Sequence, residues 1–104
     1  MDKHDDVSKD MDFSRIGIEP AKDLVCQELD GEMVILDLQS GEYYGVDQIG
    51  TRIWAMLDQR MSAPAILKQL LAEYDVDDQT CRSHLGSFFR QLEQNNLVVI
   101  REFL

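Results

Sequence analysis

The chain has 104 residues, 44% of them hydrophobic, and its 20 acidic against 10 basic side chains give a formal net charge of −10. That length suits one domain with one core, and the negative balance excludes a nucleic-acid backbone or an anionic membrane surface as the natural partner. No apolar run approaches the ~18 residues of a membrane span and the polar start lacks a secretory signal, so a cytoplasmic location is expected.

Taken in chain order, Met1–Asp12 mixes charged and small polar residues without periodicity and is expected to be a solvated, disordered tail. Ser14 to Pro20 is expected to be an extended lead-in, with Pro20 opposing continuous secondary structure. Residues 1–20 thus precede a domain at 21–104. Leu24–Leu29 and Glu32–Leu38 flank Asp30-Gly31, a strong two-residue hairpin signal that pairs Leu29 with Glu32. In that register Val25, Gln27 and Leu29 share a face with Val34, Leu36 and Leu38, and this largely apolar face is assigned to the core. After a turn at Gln39-Ser40-Gly41, Glu42–Val46 returns as the third strand of a meander.

Three helices are predicted next. Asp47 has the side chain of an N-cap for a helix from about Gln48 to Leu57, with Ile49, Ile53, Trp54 and Leu57 on one face. Ser62 caps a second helix with Pro64 in its first turn and an apolar face of Ile66, Leu67, Leu70, Leu71 and Tyr74. Asp77 caps a third, with a stripe of Cys81, Leu85, Phe88, Phe89 and Leu92, ended at Asn95-Asn96. Leu97–Ile100 is either a final strand or a tail packed on the core. The fold class is α+β, a winged helix-turn-helix-like arrangement with a three-stranded antiparallel sheet followed by three helices.

Chemistry has little purchase on this pattern. His4 and His84 lie in the tail and on the third helix, without metal-ligand spacing. Nucleophile motifs and phosphate-cradling glycine loops are absent. Cys26 and Cys81 lack a CxxC partner and are expected to be reduced, buried and structural. No catalytic residue, metal or cofactor is therefore assigned. A winged helix raises DNA binding, yet the charged side chains of the third helix, Asp78, Arg82, Arg90 and Glu93, sum to zero, where a DNA module needs several Lys or Arg. A DNA-binding regulator and a homodimerisation module, its third strand paired with its own copy, stand as the alternatives.

What the pattern does build is an aromatic edge strand joined directly to an amphipathic helix. One of Tyr43 and Tyr44 points to each face of the sheet, and Phe88 and Phe89 divide in the same way. The expected peptide-binding set is the strand Glu42, Tyr43, Tyr44, Gly45 and Val46, with Leu85 and Phe89 as apolar walls and Arg82 and Arg90 placed to attract acidic peptide residues.

The order Leu36-Asp37-Leu38, Gly41, Tyr44-Gly45-Val46, Ile49-Gly50 and Ile53-Trp54, followed by Ile66, Leu70, Tyr74-Asp75-Val76, Phe88-Phe89, Leu92 and Leu97-Val98, resembles the PqqD family, the leader-peptide recognition domains of ribosomally made, modified peptides. The resemblance covers nearly all of Leu24 to Val99. It implies a non-catalytic domain in which a precursor leader docks as an extra strand beside the third strand, facing the third helix. The aromatic Gly41-Glu42-Tyr43-Tyr44 segment looks more like stand-alone leader-binding proteins of lasso-peptide clusters than like the pyrroloquinoline quinone member. The partners implied are a precursor leader peptide and a protease or radical-type modifying enzyme, bound by a monomer or weak homodimer.

Overall fold

Asp30 and Gly31 both take positive φ, 57° and 82°, and form the tight turn their chemistry favours. The hairpin they close pairs Leu24–Leu29 with Glu32–Asp37 in the expected register, and it sits within a computed structural model that describes residues 11–103. In chain order the elements are a 3-10 turn at Phe13–Arg15, β1 at Ile16–Pro20, β2 at Leu24–Leu29, β3 at Glu32–Asp37, β4 at Tyr43–Val46, α1 at Gln48–Asp58, α2 at Ala63–Glu73, α3 at Asp78–Gln94 and β5 at Val98–Glu102. The hairpin just described is therefore β2–β3, with Leu29 opposite Glu32.

The β2–β3–β4 meander is antiparallel throughout, and β4 lies at its edge. A separate two-stranded ribbon joins β1 to β5. Leu97–Ile100 thus resolves as a strand, and Pro20 ends its partner at a position where the missing N–H breaks no long ladder. The lead-in is more than a connector. Met11 and Phe13 are buried in the core, and the Phe13 ring meets Phe89 edge-on at 5.7 Å. Of the expected tail, residues 1–10 lie outside the described residues.

All three predicted caps form. Asp47 accepts from the Gly50 amide at 2.8 Å, Ser62 from Ala65 at 3.3 Å and Asp77 from Thr80 at 2.7 Å. These side chains satisfy amide donors that a helix start leaves unpaired. The hydrogen bonds from Thr80 hold the Asp77 carboxyl below its usual range. At the far end of α3, Asn96 adopts φ 61°, the left-handed stop expected of it. Arg52 and Gln69 both donate to the Glu73 carboxylate, tying α1 to α2 and lowering the Glu73 pKa to about 2.

The sheet packs the other way round from the sequence expectation. Met33 and Ile35 face the helices, while Val25, Leu29, Val34 and Leu38 are exposed, at 50%, 70%, 45% and 57%. Met33-Val34-Ile35-Leu36 is apolar on both faces, so alternation alone did not choose between them. The inward face also carries Asp37, a poor core residue on its own. Its carboxylate accepts the Gln39 amide at 2.9 Å and builds the turn into β4. Cys81 is buried as expected, but Cys26 is exposed. It lies on β2, beyond the main cover of α1, which packs on β3 and β4. On α1, Ile53, Trp54 and Leu57 are buried with Met56, whereas Ile49 is 51% exposed. Tyr74, also expected in the core, is 40% exposed. Both of these misplaced residues reappear at the site.

Candidate peptide-binding groove

The edge strand β4 and helix α3 stand on opposite sides of an open, mainly apolar groove of about 540 Å³. Its strand wall is Tyr44, Gly45 and Val46, continued by Ile49 at the start of α1. The helix wall is His84, Phe88, Gln91 and Asn95, spaced i, i+4, i+7 and i+11 so that they form one stripe. Eleven residues of helix rise about 16 Å at ~1.5 Å each. An extended chain advances ~3.3 Å per residue, so about five residues of a strand would run beside this wall. Leu70, Leu85, Leu92 and Leu97 form the floor, and Tyr74 with Val76 closes the end near the start of α3.

Two contacts fix the shape of the strand wall. The Tyr44 hydroxyl donates to Glu42 at 2.9 Å, which raises the Tyr44 pKa and pins the ring along the lip of the groove. Gly50 lets α1 approach closely. A Cβ there would stand 2.5 Å from Val46 Cγ1 and 3.1 Å from Phe88 Cζ. A side chain at position 50 would therefore push apart the two walls that meet below it.

The residues singled out from sequence divide. Tyr44, Gly45, Val46 and Leu85 line the groove, and Glu42 supports it through Tyr44. Tyr43 points to the opposite face of the sheet and is 74% exposed. Phe89 is fully buried, and Phe88 takes the wall position instead. The structure does not bring Arg82 or Arg90 to the groove. Arg82 pairs with Asp78 at 3.2 Å and lies over the Phe13 ring at 5.9 Å, on the far flank of α3. Arg90 pairs with Glu93 at 3.0 Å. Each guanidinium makes an ion pair within its own helix, although Arg90 Nε is buried without a partner, and the pairing leaves α3 without a free basic stripe for DNA. None of the described lining residues is Lys or Arg.

Sequence reasoning missed Ile49, Tyr74, His84, Gln91 and Asn95. The signal for the last three was present, because they share the helical stripe of Phe88. Polar side chains on a helix usually face solvent, which masks that signal. Among the described residues, no cluster of three or more His, Cys, Asp or Glu is placed to hold a metal, and no helix is long and apolar enough to cross a membrane.

The family described as coenzyme PQQ synthesis protein D (PqqD) matches residues 32–98, from the first residue of β3 to the first of β5. The chain belongs to the PqqD family. Among solved structures, TbiB1 in complex with the TbiA(beta) leader peptide is 35% identical, with a TM-score of 0.75 over 77% of this chain and 93% of that one. A lasso peptide synthetase B1 complexed with the leader peptide has the same fold, at 22% identity and a TM-score of 0.74, covering 80% of this chain and 98% of that one. No curated protein matches the chain. The PqqD match spans both walls of the groove, so the family's shared sequence includes β4 and α3 together.

Proposed function

We propose that this PqqD-family chain is a non-catalytic leader-peptide-binding protein. In this reading a ribosomal precursor pairs its leader with the edge of β4 by β-augmentation and is presented to a protease or radical-type modifying enzyme. The observation that carries it is an edge strand without a further strand neighbour among the described residues, set directly against an apolar groove long enough for about five extended residues. Support from comparison is that the 35%-identical TbiB1 is held in complex with a leader peptide.

Magnitudes say what the groove must supply. About four backbone hydrogen bonds at a net ~1 kcal/mol each give roughly 4 kcal/mol. Micromolar affinity requires about 8 kcal/mol, and ordering a flexible leader adds several more. Backbone pairing therefore falls short. Two or three leader side chains must be buried in the groove, at about 1.5–3 kcal/mol each. The apolar floor of Leu70, Leu85, Leu92 and Leu97 is where that burial is available. Specificity then rests on the shape of apolar contacts, since the lining holds no Lys or Arg to recognise a carboxylate.

A fluorescently labelled TbiA(beta) leader tests the reading. Saturable binding at micromolar concentration is expected, with amide chemical-shift changes concentrated on Tyr43–Val46 and on His84 to Asn95. Binding that leaves these amides unmoved would reject β4 as the docking edge, and no saturation at about 100 μM would reject the leader-binding reading.

A further inference from the structure

Two glycines of this chain occupy strands with no positive φ to require them, Gly17 in β1 and Gly45 in β4. Glycine weakens a strand and commonly marks a close approach by something else. For Gly17 the visitor is the chain itself. Gly17 pairs with Arg101, and Phe103, two residues along the same face, lays its ring across the vacancy. A Cβ on Gly17 would stand 2.9 Å from Phe103 Cζ. An aromatic side chain just past the end of the neighbouring strand thus covers the bare backbone, a recognised remedy for a strand glycine.

Gly45 has the same local setting and no cover. It is exposed, pairs with Val34, and a Cβ built on it meets nothing within 4 Å. Neither packing nor backbone conformation within the chain calls for glycine here, in contrast to Gly50, whose Cβ would collide. Gly45 belongs to the edge strand, and no strand among the described residues lies along its open side, which is the place for an added one. Its Cβ direction is toward the outer face of the sheet, shared with the exposed Val34 and Tyr43. These two side chains flank a flat notch at position 45.

From this pair of glycines we infer that Gly45 is a specificity-determining seat for an aromatic side chain of the bound peptide, projecting on the outer face of the sheet rather than into the groove. The inference rests on the leader-binding reading and deepens it. The aromatic residue sits on the added strand, opposite Gly45 or two residues along, as Phe103 sits relative to Gly17. Its ring crosses the bare backbone and packs against Val34 and Tyr43. A leader would then be read on both faces, by apolar side chains in the groove and by a ring on the outside. Any side chain at position 45 fills the seat while leaving the groove and the pairing edge intact.

The test uses the full chain and the labelled TbiA(beta) leader, with Gly45→Ala and Gly45→Thr beside the parent. Single Ala replacements at each large side chain of the peptide complete double-mutant cycles. Gly45→Thr is expected to weaken binding about tenfold and Gly45→Ala by less. The loss should couple to one aromatic peptide residue, whose replacement by Ala costs affinity in the parent and little more in Gly45→Thr. Thermal midpoints should stay level or rise, because the space is open and both substitutes suit a strand better than glycine does. Unchanged affinity in both variants, or a loss that couples to no aromatic residue, overturns the seat while leader binding stands. Unfolding of both variants assigns Gly45 to the fold and overturns it as well. Failure of the parent to bind removes the leader-binding reading, and the seat with it.

Discussion

The two flanks of α3 are built from neighbouring residues and have opposite fates. On one flank Phe89 is completely buried, and the chain's own Met11–Arg15 segment covers it through Phe13. On the other, Phe88 stands half-buried over Gly50 at the wall of an open groove. One flank is closed by the polypeptide before β1, and the other stays open. The difference teaches that α3 serves as both core and wall, and that its two phenylalanines divide these duties.

That division can be broken most forcefully at Phe89. Phe89→Ala leaves a cavity beneath Phe13, and a loss of about 3–5 kcal/mol is expected. Chemical denaturation measures it, and a fall in leader affinity should track only the unfolded fraction. Phe88→Ala should invert this result. Leader affinity is expected to fall about tenfold, equivalent to about 1.4 kcal/mol. The denaturation midpoint should move far less than for Phe89→Ala. If the two variants lose stability equally, the two flanks are not distinct. Arg82→Glu sharpens the comparison with the smallest effect. It removes the exposed contacts with Asp78 and Phe13 on the closed flank, at a cost under about 1 kcal/mol. Leader affinity should be unchanged, and a marked fall would return Arg82 to the binding surface.

Much of the fold was legible because its signals are local. Asp30-Gly31 made its turn, Asp47, Ser62 and Asp77 capped their helices, and Asn96 ended α3. The site was legible in outline, as a strand edge beside the third helix, with Tyr44, Gly45, Val46 and Leu85 at the groove. Orientation was not. The strand Met33–Leu36 offers apolar side chains to both faces, so nothing within it says which one the helices cover. Phe88 and Phe89 are adjacent on a helix and differ by about 100° of rotation, which periodicity places only relative to a partner. Arg82 and Arg90 are expected from their place on the third helix to attract acidic peptide residues, whereas the structure pairs them with Asp78 and Glu93 outside the groove lining.

By itself, the sequence determined the β2–β4 meander and the three helices, their caps and turns, the pairing of β2 with β3, and membership of a recognisable family, because each depends on neighbours a few positions away. The strand Ile16–Pro20 and its pairing with β5 emerged only in the fold. Only the tertiary structure decided which sheet face is dry, that Met11 and Phe13 join the core, and that Ile49, Tyr74 and His84 border the groove. Those outcomes depend on which surfaces meet across long stretches of chain. Gly45 lies between the two levels: its identity is printed in the sequence, but the empty space above it appears only when the chain is folded.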